Sequence, residues 1–430
     1  DYLSVYIRPE DQVAEIDALH PLKGLAIQGC HSNVHTAQCP KSLDTPEGKP
    51  LATLREGRPD YVLINGSVHY WTDIQECLSE LHTLTQKDQR MVVVYYSSLW
   101  RPILRLASIL GLRRKAPEEN WISPGDLQGM AKLAGFEQIR DDHRMLLPVN
   151  IPLVSYLINR YVAPLPVIRA FCLLHISVFR PRLERWPEKP SVSIVVPARN
   201  EAGNIEAALQ RTPKMGPNDE LIFVEGNSTD DTWEIIRKMA EKYREHWGGR
   251  IKIAQQKGKG KGDAVRKGFD MAEREILMIL DADLTVPPED LPKFYDAIVD
   301  DHGEYINGSR LVYPMEKEAM RFLNLLGNKF FALAFSFVLN ATYKDTLCGT
   351  KVLSREHYKK LAAHRSYFGD FDPFGDFDLI FGANRMNLQT IEVPIRYRDR
   401  HYGSTNISRW KHGVLLLRML MFAARKILFI

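Results

Sequence analysis

A chain of 430 residues that is 45% hydrophobic and 26% charged is an ordinary globular composition, long enough for about two to three domains with cores that need no disulfide staples. With 57 basic against 53 acidic residues the net charge is +4, too mild for a nucleic-acid-binding surface, so no nucleic-acid partner is expected. Five scattered cysteines without a CxxC pair point to a reducing, cytoplasmic setting, and no apolar run reaches the roughly 18 residues of a membrane span.

Residues 1–146 alternate short strands and helices. Val62–Ile64 and Met91–Tyr96 are buried-strand runs, and Asp73–Leu84 has helical spacing. Residues 147–188 are apolar, rich in proline and arginine, and carry no acid before Glu184, which reads as a linker. Its Arg160, Arg169, Arg180, Arg182 and Arg185 suit a membrane surface or interdomain packing. From Ser191 the alternation restarts. Strands are predicted at Ser191–Val196, Leu221–Val224, Ile251–Ala254 and Ile276–Leu280, with helices at Glu201–Arg211, Asp231–Tyr243 and Gly262–Glu273. This order implies an α/β fold with a mostly parallel sheet, whose ligands bind beyond the strand C-termini.

The fourth of these strands runs directly into Asp281-Ala282-Asp283. Residues two apart on extended chain face the same way, so the two carboxylates form a hard-oxygen site suited to Mg²⁺ or Mn²⁺ with substrate phosphates. A solvated turn that caps the next helix is the plainer reading. The other strand ends are also polar: Pro197-Ala198-Arg199-Asn200-Glu201, then Glu225 with a helix-capping turn, then the Gly-Lys loop from Gln256 to Asp263. That loop lacks the GKS/T of a Walker A motif, but its glycines would let backbone approach a ligand and its lysines, Lys261 among them, could neutralise phosphate, with a simple solvated flexible loop as the alternative.

Residues 191–410 resemble the family-two inverting nucleotide-sugar glycosyltransferases of GT-A fold, and among them the dolichyl- or polyprenyl-phosphate mannosyl and glucosyl synthases. The matching pieces are VVPARNE, VEGNSTDDT, GKGKGDAVRKGF, ILDADLTVPPEDL, NGSR, DTLCGTKVLSRE, EVPIRY and RHYGSTNIS, in that order. The resemblance implies a donor pocket lined by Pro197, Ala198, Arg199, Glu201, Glu225, Lys261, Asp281 and Ala282, with Asp281, Asp283 and Thr285 on the metal. It implies that Arg310 reaches the phosphates, that Lys351 follows the acceptor-side Gly349, and that Arg400, Ser404 and Asn406 lie in a late loop closing over the donor. Two positions depart from the family pattern. Gly226 stands where a second aspartate is usual, and Thr285 where glutamine is common.

Such an enzyme inverts the anomeric carbon in a single displacement, with Asp283, Arg310 and Lys351 in the catalytic group. An alcohol acceptor also needs a general base, for which Asp376 and Asp378 are the candidates; a phosphate acceptor needs none. One of the pair would otherwise cap a helix at Leu379–Asn384. Between Arg396 and Ile430 eight Lys or Arg face one acid, Asp399, and Gly413–Ile430 is apolar with interspersed basic residues. That segment (411–430) suits an interfacial helix at the inner face of a membrane and a lipid-phosphate acceptor. Burial of that segment and of the apolar Phe330–Leu339 against the sheet is the alternative. A glycan hydroxyl acceptor remains a second reading within the 189–410 domain.

The first region resembles the later half of a class I S-adenosylmethionine-dependent methyltransferase, on Asp60–Tyr70, Asp73-Ile74, Met91–Tyr96, Trp121–Asp126 and Ala134-Gly135-Phe136. The resemblance places His69 near a methyl site. No GxGxG turn occurs in residues 1–58. The domain is therefore expected to be incomplete, by truncation or degeneration, and to dock rather than to use S-adenosylmethionine. A methyltransferase with a substrate-delivering second domain, and a non-catalytic scaffold, are the readings from other classes.

Overall fold

Two seven-stranded sheets, each with its own helices and core, organise the computed structural model, which describes residues 2–8, 10–16, 35–38, 49–50, 57–113, 120–313, 322–365, 377–398, 400, 402 and 409–429. The first unit comprises residues 1–184 with 424–430, and the second 185–423.

In the first unit the strands are β1 (Val13–Ile16), β2 (His35–Gln38), β3 (Lys49–Pro50), β4 (Tyr61–Asn65), β5 (Arg90–Tyr96), β6 (Phe136–Arg144) and β7 (Leu174–Pro181). Their order is β3-β2-β1-β4-β5-β7-β6. β1 to β5 run parallel, and β7 pairs antiparallel with both β5 and β6. Helices α1 (Ile74–Leu84), α2 (Arg101–Ile109) and α3 (Pro124–Leu133) connect them. Asp73 starts α1 by accepting from the Glu76 amide at 2.9 Å, and Ser123 with Asp126 forms a capping box on α3. Leu78, Leu81, Leu127 and Ala131 of α1 and α3 pack on Val62, Ile64, Met91 and Val93.

Three expectations change here. Residues 174–181 are not linker but a strand buried between β5 and β6, so the unit runs to Glu184. Its sequence, LHISVFRP, hides a fully covered strand because Arg180 is neutralised by Glu137 and His175 stacks on Tyr95. The sheet is also less fragmentary than the sequence suggests, since Val13–Ile16 supplies the first strand; the segment Gly24–Gly29 after it lies outside the described residues. Cys77 is half of a disulfide, whereas Cys172 and Cys348 are free, so a wholly reduced set of cysteines does not hold. His69 is fully buried and both ring nitrogens are engaged. Nδ1 meets the Asn120 carbonyl at 2.6 Å, and Nε2 accepts from the Tyr96 amide at 2.9 Å. That is the bonding of a packed structural histidine.

The second unit has β8 (Val192–Ala198), β9 (Glu220–Glu225), β10 (Ile251–Gln255), β11 (Ile276–Ile279), β12 (Tyr305–Ser309), β13 (Lys351–Ser354) and β14 (Thr390–Pro394), in the order β10-β9-β8-β11-β13-β12-β14. β10, β9, β8 and β11 are parallel; β13 runs antiparallel to β11 and β12. The helices are α4 (Ile205–Arg211), α5 (Thr232–Lys242), α6 (Lys261–Met271), α7 (Leu291–Val299), α8 (Phe322–Leu339), α9 (Arg355–Ala363), α10 (Phe377–Arg385) and α11 (Arg409–Ala423). α4 starts later than predicted, because Ala202–Asn204 forms a tighter 3-10 turn first. Ile194, Val196, Phe223, Met278 and Leu280 join Ile205, Leu209, Phe294 and Ile298 in one core. Burial of such apolar surface, at roughly 25 cal/mol per Å², is what fixes the parallel strand ends in register. Among the described residues no helix is long and apolar enough to cross a membrane.

Candidate functional site

The loops leaving β8, β9 and β11 gather at one sheet edge, and each turns on a residue with positive φ: Asn200 (57°), Asn227 (56°) and Leu284 (52°). Asparagine visits this region readily; leucine does so at a cost. Leu284 is buried in the core, and its amide donates to the Asp281 carbonyl at 3.1 Å. The turn therefore holds Asp281 and Asp283 at the end of β11 with Ala282 buried between them.

Lys261, the first residue of α6, places its ammonium 2.6 Å from Asp281 Oδ1. Gly349 lies directly over this pair, and a Cβ there would collide with the Asp281 carboxylate and the Lys261 ammonium. Asp283 Oδ1 accepts from the Thr285 amide (3.1 Å) and hydroxyl (2.9 Å), and its Oδ2 accepts from Arg400 Nη2 at 2.5 Å. Arg400 Nη1 also reaches Glu201 Oε1 at 3.3 Å, and Glu201 Oε2 accepts from Asn204 at 2.7 Å. Burial pushes the Glu201 carboxyl up to about 7, against the lowering pull of Asn204 and Arg400, with Asp283 and Asp281 adding to the rise. The Tyr402 ring covers Gly203, where a Cβ would sit 2.6 Å from it. Arg400 and Tyr402 thus tie the late segment to the loop after β8.

On the neighbouring strands, Glu225 is buried at the end of β9 and accepts from the Ser228 amide (2.5 Å) and Gln255 (3.0 Å). Pro197 and Ala198 end β8, the Ala198 carbonyl accepts from the Gly226 amide at 2.8 Å, and Arg199 is exposed. A Cβ at Gly226 would lie 3.1 Å from Arg199 Cβ and 3.3 Å from the Ala198 oxygen, so the missing second aspartate coincides with a crowded turn.

Other sequence-predicted residues occupy different surroundings. Arg310 forms a two-point ion pair with Asp345 (2.7 and 2.9 Å), and Asp345 is completely buried. Burial alone would raise the Asp345 carboxyl, but the Arg310 charge outweighs it and holds the carboxyl below its usual range. Lys351 is buried in β13, donating to Asn307 Oδ1 at 2.9 Å and to the Cys348 carbonyl at 2.6 Å. It fixes the strand that presents Gly349 rather than opening into the edge. Thr285 is engaged by Asp283, so it orients that carboxylate. Asp378 lies in the first turn of α10, 3.3 Å from Arg365 and 3.8 Å from Arg266. Asp376, Ser404 and Asn406 lie outside the described residues.

Asp345, Asn307 and Glu392 escape sequence reasoning. Glu392 accepts from the Lys344 and Asp345 amides and from Asn307, closing a network under Arg310. An acid next to the apolar Thr346-Leu347-Cys348 run was the available signal. For a divalent cation the donor set at the edge is apt. Asp281 and Asp283 offer hard oxygens, and the positive groups now on them, Lys261 and Arg400, mark where cationic charge is favoured.

The model of the glycosyl transferase family 2 matches residues 193–362. Glycosyltransferase AglJ of Haloferax volcanii is 28% identical over 232 residues, covering 54% of this chain and 71% of that protein. The dolichyl-phosphate hexose transferase of the same organism is 32% identical over 197 residues, 46% of this chain and 77% of that protein. A Mycobacterium tuberculosis glucosyl-3-phosphoglycerate synthase solved with Mn²⁺, UDP and phosphoglyceric acid is 17% identical, with a TM-score of 0.41, over 57% of this chain and 81% of that one. Because the chain covers 77% of a relative to which it is 32% identical, and the family model matches the strands that lead to the Asp-Ala-Asp turn, the chain belongs to glycosyl transferase family 2.

Proposed function

We propose that the chain moves a sugar from a nucleotide-diphosphate sugar to a polyprenyl-phosphate-type lipid at a membrane surface, with inversion. The observation that carries this is the Asp281–Asp283 pair at the end of β11, overlaid by Gly349 and flanked by Lys261 and Arg400. The dolichyl phosphate in that relative's name supports the lipid.

Asp281 and Asp283 would hold Mg²⁺ or Mn²⁺, which when bound offsets charge on the departing diphosphate. An acceptor phosphate oxygen forms the new bond to the anomeric carbon. The bond to the nucleoside diphosphate breaks, and its electron pair leaves with the diphosphate. No proton has to be removed from a phosphate dianion. Lys261 and Arg400 add positive charge beside the leaving group, in a setting where oriented charges lower the barrier. Glu225 and the loop after β8 hold the nucleoside side. Arg310 and Lys351 act through the backbone they fix, Arg310 by pinning Asp345 and Lys351 by holding the Cys348 carbonyl. Arg365 and Arg266 both lie at one oxygen of Asp378, Oδ2, a cationic setting that favours an anionic phosphate acceptor over a neutral hydroxyl.

The first unit serves in docking on this reading. His69 is fully bonded, and no glycine-rich turn follows β1 in the sequence. The test is transfer by the purified chain with Mn²⁺, a panel of GDP-, UDP- and dTDP-sugars, and polyprenyl phosphate, with Asp283→Ala as control. Metal-dependent glycolipid lost in the variant is the expected result. Transfer only to glycan hydroxyls, or none with any donor, overturns the reading.

A further inference from the structure

The first unit exposes a large apolar surface that its core does not use. On and beside α2, Ile109 and Leu112 are 78% and 79% exposed, and Leu99, Ile103, Leu106 and Leu110 are exposed with them; only Leu104 of that helix is buried. The stretch 149–171 adds Leu153, Val167 and Phe171. The two segments are neighbours, because Trp100 Nε1 donates to the Phe171 carbonyl at 2.8 Å.

The exposure is built in. In Pro152-Leu153-Val154 and Pro166-Val167-Ile168 the amide after the middle residue returns to the proline carbonyl (2.7 and 2.8 Å). These γ-turns force Leu153 to φ 64° and Val167 to φ 67°. Positive φ is costly for a bulky or β-branched residue, and such strain concentrates where a side chain has a task. The side chains so held are 70% and 77% exposed. The stretch is pinned by its own bonds, Asn159 to both the amide and the carbonyl of Leu147, so the turns are not loose loop. Residues 97–113 and 146–171 contain Arg101, Arg105, Arg113, Arg160 and Arg169, and no Asp, Glu or Lys. Arg160 lies over the Tyr156 and Tyr161 rings, an aromatic-and-arginine pairing suited to a headgroup layer.

We infer that this face is a docking surface for an anionic phospholipid bilayer, with Leu153 and Val167 as inserted tips and the arginines on lipid phosphates. Large exposed apolar surface marks an interaction site, and two segments that carry five arginines and no acid select an anionic partner. The inference deepens the lipid-acceptor reading and rests on it for its purpose, but not for its test.

The full chain is mixed with vesicles of phosphatidylcholine, with and without phosphatidylserine, and floated on a density gradient. Binding to the phosphatidylserine vesicles that weakens with salt is expected. Leu153→Ser with Val167→Ser should weaken it about tenfold or more, from the apolar area lost, and Arg101→Glu with Arg105→Glu should abolish its lipid preference. Leu153→Gly with Val167→Gly should also lose binding, yet with an equal or higher Tm, because glycine accepts the positive φ. No vesicle binding by the parent chain, unchanged binding by these variants, or a dimer that buries the face and ignores vesicles overturns the inference. Transfer to a short water-soluble polyprenyl phosphate is measured alongside. Docking lost with transfer kept leaves the acceptor reading standing. Docking kept with no transfer removes the acceptor reading alone.

Discussion

Arg400 spans Asp283 and Glu201, donating to the first at 2.5 Å and reaching the second at 3.3 Å. One guanidinium therefore links the late segment to both the strand that carries the carboxylate pair and the loop after β8.

That link predicts competition. Arg400 neutralises an oxygen that a metal would take, so Arg400→Ala should bind Mn²⁺ in the absence of donor roughly two- to tenfold more tightly, while the KM for the sugar nucleotide rises. Titration calorimetry checks the first part. A weaker metal affinity in the variant would show that Arg400 supports the cation site instead.

Gly349 has no room for a methyl group over Asp281 and Lys261. Gly349→Ala should lower kcat/KM about a hundredfold or more, because a small displacement of positioned groups is costly. Its circular dichroism and Tm should stay near those of the parent. Activity within a few-fold of the parent would mean that the segment moves aside in the working enzyme.

The Arg310–Asp345 pair is bidentate, with Asp345 fully buried and the Arg310 side chain largely so. Asp345→Ala leaves a buried guanidinium uncompensated and should destabilise the chain by about 3–5 kcal/mol. Adding Arg310→Met should restore much of that loss in urea unfolding, with activity still low. If the double variant is no more stable than the single, the pair's charge is not the cause.

In the first unit Asp141, His143 and His175 share one face of β6 and β7, with His143 Nε2 and Asp141 Oδ2 3.0 Å apart. Burial, and then the neighbouring His143, push His175 down from 6.5 to about 4. The unfolded chain then binds more protons between those values, so this histidine's contribution to stability is complete above about pH 6.5 and is lost as pH falls towards 4. The loss is at most about 3 kcal/mol. His143 acts in the opposite sense: burial lowers it, but Asp141 raises it above its ordinary value, so its contribution is present at low pH and fades as pH rises. His175→Phe keeps a ring against Tyr95 and should flatten the acid limb of the urea midpoint plotted against pH. An unchanged limb would assign the acid loss to other groups.

Much of the second unit was legible because its strands are uninterrupted apolar runs that stop at polar turns. Ile276–Ile279 before Asp281 is the clearest case, and the carboxylate pair followed from it. Lys351 was not legible as a buried residue. Its partners, Asn307 and the Cys348 carbonyl, come from the pairing of β12 with β13, a register that no local pattern encodes. Arg310 looked free to meet phosphate because Asp345, 35 residues on, neutralises it only in the fold. β7 was lost to its composition, and β1 to its shortness, with Glu15 buried among Val13, Ala14 and Ile16.

β11 has a parallel partner, β8, on one side and an antiparallel partner, β13, on the other. The strand is a seam between two halves, β10-β9-β8 and β13-β12-β14, of which only β13 runs against the rest, and Asp281 and Asp283 follow directly from it. The loops behind Ala198, Glu225 and Gln255 belong to one half, while the turn carrying Gly349 belongs to the other. Segments on either side can therefore be exchanged with those of relatives without re-registering the opposite half. A graft of residues 226–231 should retune the choice of nucleotide and leave the acceptor unchanged, and a graft of 341–350 should do the converse.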